Sequence, residues 1–201
     1  MSVISNDINM IPEPILGAHY RMSGLSDVER ILLVSDGTFT YQLETFVREP
    51  IGVEILANEQ VRLSTGDAEL LQCQPGGLVW DRRTLLRGKR TGTAYCYATS
   101  AINDEGLDPD FRAELRVTQS GIGHLMAKYR MGTFRELLTY HASAGSDYAH
   151  HLPQFRGGTY LSRTYRIIFE GRPIMLITEN MPRKLFAKSI PLDQTRESIT
   201  T

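Results

Sequence analysis

Apolar residues recur along this chain at helical spacing near its beginning. Val28, Ile31, Leu32 and Leu33 follow Ser26-Asp27, a helix-start pair, and predict a first helix. Asp36-Gly37-Thr38 stops that helix and can cap a second, in which Phe39, Leu43 and Phe46 recur with Tyr41, Gln42 and Glu44 between them. After Pro50 the period shortens. Gly52–Leu63 alternates loosely through Val53, Ile55, Val61 and Leu63 and predicts a strand kinked near Asn58; Gln72–Gly77 predicts a turn. Leu78–Arg87 is a second strand, with Leu78, Trp80, Arg82, Thr84 and Leu86 on one face and Val79, Asp81, Arg83 and Leu85 on the other. Thr93–Ile102 can pair with it through the Gly88–Gly92 turn.

Asp108-Pro109 is an N-cap and first-turn pair for a helix reaching Val117. Thr118–His124 then opens Leu125–Arg130, and helical spacing reads on through Leu138, with Ala142–Gly158 as a loop. The last apolar stretch is a hairpin. Tyr165, Ile167, Ile168 and Phe169 suit a strand, Gly171 can supply the positive φ of a tight turn, and Pro173 opens the return strand. Alternation on that strand places Met175, Ile177, Glu179 and Met181 on one face. From Leu185 to Thr201 the chain turns polar. Hairpins without a βαβ rhythm predict an α+β fold, an antiparallel β-sheet with helices packed on one side. No linker or charge run divides the chain, so residues 26–186 read as one domain, 1–25 as an irregular N-terminal arm and 187–201 as a polar C-terminal tail.

Hydrophobic content of 41% and charged content of 22% fit a soluble globular protein. No apolar run has spanning length, and Asp7, Pro12, Glu13 and Pro14 interrupt any signal-peptide core, so a cytoplasmic protein without membrane insertion is expected. A net charge of -1 gives no global field for nucleic acid. Four of the 22 basic residues are lysines, which leaves 18 arginines, whose planar forks suit carboxylate or phosphate; biased codon use explains the skew equally well. Cys73 and Cys96 lack metal spacing, and His150-His151 reads as solvated rather than metal-bound, so no metal is expected. Phosphate-loop, dinucleotide, HExxH and nucleophile-elbow patterns are absent.

Chemistry is left to carboxylate, arginine, hydroxyl and backbone groups. Glu179, a carboxylate among core-facing residues, reads either as the partner of a neighbouring arginine or as a general acid facing a pocket. Arg82, a cation on the more apolar face beside the only tryptophan, reads as a snorkelling arginine, as the ion-pair partner of Glu179, or as a pocket cation. Gly121-Ile-Gly123 ahead of a helix leaves backbone N–H groups that favour an anion, although a Gly-x-Gly is more often only a turn.

With these residues in view the chain, from about Val28 to Phe186, resembles the chorismate pyruvate-lyase (4-hydroxybenzoate synthase) family, in particular its broader bacterial branch of short single-domain members. The likeness is strongest in Arg163-Thr-Tyr-Arg-Ile-Ile-Phe-Glu-Gly-Arg-Pro-Ile-Met-Leu-Ile-Thr-Glu-Asn. Leu32–Thr40, Arg82-Arg-Thr-Leu-Leu-Arg-Gly and Ser120-Gly-Ile-Gly are weaker matches. The resemblance implies a chorismate-lyase-like fold with an enclosed ligand pocket, and cleavage of chorismate to 4-hydroxybenzoate and pyruvate without metal or organic cofactor. It also implies the site. Arg82 matches the arginine that holds ligand carboxylate, Glu179 the glutamate facing the ring hydroxyl, Ile122 and Gly123 the backbone that receives a carboxylate, and Phe39 and Thr40 the pocket lining from an early helix.

Three features depart from the family's pattern. Phe39 replaces the usual aliphatic residue, Ala142–Gly158 is longer than in compact relatives and could form a lid, and Arg83 beside Arg82 would take its role after a one-residue slip. Two other readings stay open: a non-enzymatic sensor of aromatic acids with the same fold, and a lyase acting on a different chorismate-derived acid. Only about 25 residues precede the first helix, short of a winged-helix reader, which counts against a self-contained regulator. Nothing in the sequence specifies an oligomeric state.

Overall fold

The computed structural model describes residues 24–144, 150–153 and 156–186. The expected arm up to residue 23, the tail at 187–201, and residues 145–149 and 154–155 of the expected loop lie outside them. Chain order is α1 (Asp27–Val34), α2 (Phe39–Val47), β1 (Ile51–Arg62), α3 (Thr65–Leu71), β2 (Leu78–Gly88), β3 (Ala94–Ile102), α4 (Pro109–Val117), α5 (Ile122–Lys128), β4 (Thr133–Ala144), β5 (Thr159–Phe169), β6 (Arg172–Pro182) and α6 (Arg183–Phe186). The strands form one six-stranded sheet in the order β1-β2-β3-β6-β5-β4, every neighbouring pair antiparallel. The fold is α+β.

Local chemistry starts and stops the elements. Ser26 and Glu29 form a capping box at α1, and Asp108 accepts from the backbone of Asp110 and Phe111 with Pro109 in the first turn of α4. Glu170 and Gly171, at φ of 50° and 76°, make the tight turn between β5 and β6. Within β6 a one-residue bulge at Ile174 shifts the register, since Ile168 pairs with Pro173 while Ile167 pairs with Met175.

One face of the sheet carries two core clusters. The first packs Leu32, Leu33, Phe39 and Leu43 of α1 and α2, with Phe186 of α6, onto Val53, Leu86, Cys96, Leu161 and Met181. The second packs Phe111, Leu115, Leu125 and Met126 of α4 and α5 onto Ile102, Tyr165, Ile167, Met175 and Ile177. On the opposite face α3 sets Ala68 and Leu71 against Val79 and Leu176.

Several expectations need correcting. Helical structure does not continue to Leu138: α5 ends at Lys128 and the chain returns as the edge strand β4. Its alternation is hidden because a bulge at Leu138 changes phase between Leu137 and Thr139, and because an edge strand exposes residues such as Phe134. The irregularity in β1 falls at Leu56 rather than near Asn58. On α1 Ile31 is exposed and Glu29 is buried instead, because Arg183 pairs with Glu29. Helix α3 went unpredicted; it is short, contains Gly66, and is capped by the Ser64 side chain accepting from Asp67 N. The chain does not turn polar as early as Leu185: Phe186, the last residue of the expected domain, is fully buried. Both cysteines are free thiols.

Candidate active site

Where the two core clusters meet, a cavity opens between the sheet and the N-terminal ends of α2 and α5. All six residues singled out from the sequence line it: Phe39, Thr40, Arg82, Ile122, Gly123 and Glu179. Alternation along β2 explains Arg82, and the register explains its distance from Glu179. Arg82 sits opposite Ser100 on β3, whereas Glu179 sits opposite Ala98, one strand further and two residues along.

The Arg82 guanidinium does not pair with Glu179. Its Nη1 donates to Leu115 O at 2.9 Å and its Nη2 to Thr118 O at 2.8 Å, so the carbonyl-rich C-terminal end of α4 holds the charge in place. Its Nε is buried without a partner among the described residues. Burial pulls Arg82 down to about 10, which leaves it protonated at neutral pH. The adjacent Arg83 points the other way, exposed and bridged to Asp81 at 2.6 Å, as the face argument required.

Glu179 satisfies both geometries that its sequence position allowed: it faces the cavity and it is salt-bridged. The partner is Arg163, whose Nε stands 2.6 Å from Oε2 with both side chains buried. The Tyr165 hydroxyl donates to Oε1 at 3.0 Å. Arg163 also donates through Nη1 to Leu32 O and Ser35 O, and its guanidinium lies 5.0 Å from the Phe39 ring and 5.3 Å from that of Tyr165. Burial opposes the charge on Arg163, but Glu179 outweighs it and the guanidinium pKa is raised. Burial together with the charge of Glu179 pushes the Tyr165 phenol far up, so its hydroxyl remains a donor. Thr178, on the other face, exchanges a hydrogen bond with Thr164.

The glycines at α5 have a steric reason. A Cβ on Gly121 would fall 2.6 Å from Thr40 Oγ1, and one on Gly123 would fall 2.5 Å from Thr38 Cγ2. Only glycine lets the starts of α5 and α2 approach this closely, and neither helix has a side-chain cap. The residues lining the cavity include Phe39, Thr40, Ile122 and Gly123 of the two first turns, where N–H groups have no partner inside their own helix.

Arg163, Tyr165 and Arg135 were not picked out as site residues. A two-residue turn without the Ile174 bulge would set Ser162 opposite Glu179, so the pairing with Arg163 needs the bulge to be known. Arg135, which also lines the cavity, lies in the strand that had been taken for helix. His151 stacks on Tyr97 at 4.5 Å, and among the described residues no group of three His, Cys, Asp or Glu side chains could hold a metal ion. No helix among the described residues is long and apolar enough to cross a membrane.

Comparison with known proteins gives a consistent picture. The family model described as "Chorismate pyruvate-lyase Rv2949c-like" matches residues 33–188. A protein of Mycobacterium leprae (strain TN) named chorismate pyruvate-lyase is 30% identical over 162 residues, covering 78% of this chain and 75% of its own length. Its namesake in Mycobacterium tuberculosis (strain CDC 1551 / Oshkosh) is 29% identical over 160 residues, covering 78% and 80%. Among solved structures, a possible transcriptional regulator, YydK, of Bacillus subtilis superposes with a TM-score of 0.58 at 14% identity, covering 86% of this chain and 69% of that one. A putative transcriptional regulator of Streptomyces coelicolor gives 0.54 at 18%, covering 67% and 88%. At such identities the structural likeness speaks to fold alone.

Proposed function

Since the chain belongs to the Rv2949c-like chorismate pyruvate-lyase family, we propose that it cleaves chorismate to 4-hydroxybenzoate and pyruvate in the cavity shared by Arg82 and Glu179. One observation carries the reading: a buried arginine, held by main-chain carbonyls and not neutralised by a carboxylate, keeps an unpartnered N–H beside a cavity that also contains a carboxylate. A buried, unpaired donor costs stability. An anionic ligand would remove that cost.

In this reading Arg82 takes the ring carboxylate, assisted by the backbone of Ile122 and Gly123, and the cavity closes around the ligand. Glu179 accepts from the hydroxyl on C4. With Arg163 on one oxygen and Tyr165 donating to the other, it serves as an acceptor and orienting group rather than as an acid. The C3–O bond then breaks and its electron pair leaves with enolpyruvate. C4 loses its hydrogen as a proton, the ring becomes aromatic, and enolpyruvate takes a proton on carbon to become pyruvate. Much of the driving force lies in aromatisation, so the protein's share is to hold a reactive conformation and stabilise the departing charge.

Titration calorimetry with 4-hydroxybenzoate tests the binding half. Wild-type protein should bind it, and Arg82→Ala should weaken binding by about 2–5 kcal/mol, the cost of truncating one side of a desolvated charge contact. Unchanged affinity in Arg82→Ala would contradict the assignment.

A further inference from the structure

Arg135 and Arg82 approach one cavity from opposite directions. Arg135 stands on the edge strand β4 and Arg82 on β2, four strand-to-strand steps apart with the strand of Glu179 halfway between. In a flat sheet that separation is roughly 19 Å. Both residues nevertheless line the same cavity.

Arg135 is half-buried and fixed. Its Nη1 donates to Asp36 O at 2.8 Å, which ties it to the turn ahead of α2, and among the described residues it has no carboxylate partner. Among the described residues Arg82 has only carbonyl partners, and Arg163 is matched by Glu179. The cavity therefore presents two uncompensated cations, one at each side, about a neutral central pair. A ligand with a single acid group answers one of them. A ligand with two answers both.

Building on the lyase reading, we infer that Arg135 takes the second carboxylate of the substrate, the one on the enolpyruvyl arm. The aromatic product lacks that group. Arg82 then holds substrate and product alike, while Arg135 holds the substrate alone and selects two-acid ligands over one-acid ligands. When pyruvate leaves, the product has lost one of its two anchors.

The test compares wild type, Arg135→Gln and Arg135→Lys in two measurements: the steady-state KM for chorismate, and the calorimetric Kd for 4-hydroxybenzoate. Arg135→Gln should raise KM by roughly ten- to a hundred-fold, the worth of one charged hydrogen bond, with the product Kd unchanged. Arg135→Lys keeps the charge without the fork and should recover part of the KM; it carries the comparison if the glutamine variant does not fold. An active wild type whose Arg135→Gln variant shifts both constants alike, or neither, overturns the inference. A wild type that releases no pyruvate from chorismate overturns the lyase reading instead, and this inference with it.

Discussion

Arg82 and Glu179 line one cavity and do not pair. Each has its own support, the carbonyls of Leu115 and Thr118 for the arginine and Arg163 with Tyr165 for the glutamate. Opposite charges that faced each other would need a ligand to separate them before it could bind. In the proposed function, holding them apart leaves the space between them to the ligand, with a cation and an acceptor already in position.

Glu179→Gln should lower both activity and stability. The Arg163 charge, fully buried, would lose its counter-charge, and breaking one side of such a pair costs about 3–5 kcal/mol. Urea unfolding should register that loss, and chorismate turnover should fall by two orders of magnitude or more on the scale of a lost transition-state contact. Near-normal turnover would remove Glu179 from the site.

Gly123→Ala should push α5 away from α2, because the added methyl would meet Thr38 Cγ2 at 2.5 Å and Oγ1 at 2.8 Å. Overpacking of this kind costs about 1–3 kcal/mol. Thr38→Ala removes both atoms and should rescue the melting temperature and product binding of the double variant. Thermal melts of the four proteins check this, and a double variant no better than Gly123→Ala would contradict the steric account.

The acid limb of stability should depend on Glu49. Desolvation alone would raise this buried carboxyl, but hydrogen bonds from the Thr91 hydroxyl, the Arg90 and Thr91 backbone and the Tyr95 hydroxyl outweigh it and hold the pKa at about 2, against 4.5 for a free carboxyl. A folded pKa below the unfolded one stabilises at pH above the unfolded value and is lost as pH falls toward the folded one. The window therefore runs from about 4.5 down to about 2. Glu49→Gln should flatten the fall of melting temperature across it; an unchanged slope would assign acid sensitivity elsewhere.

What could be read in the chain was what local chemistry determines. The Glu170-Gly171 turn, the Asp108-Pro109 helix start and the strand alternation that separates Arg82 from Arg83 all depend on neighbours in sequence, and the structure has them where expected. What escaped depends on partners far along the chain. The bulge at Leu138 erased the alternation of β4 and concealed Arg135 with it. The bulge at Ile174 decides that Arg163 rather than Ser162 faces Glu179. Glu29 could be buried on α1 only because Arg183, beyond the last strand, comes back to meet it. The six residues proposed for the site do line one cavity: strand phase located Arg82 and Glu179, the helix start after Gly121 located Ile122 and Gly123, and Phe39 and Thr40 came from the family resemblance alone.

The most direct test of the account is to incubate purified, chelator-treated protein with chorismate and follow 4-hydroxybenzoate and pyruvate together. The account predicts that both appear in equal amounts, and that neither appears with Arg82→Ala. Protein that binds 4-hydroxybenzoate yet releases no pyruvate would contradict it, leaving a cavity that recognises an aromatic acid without cleaving its precursor.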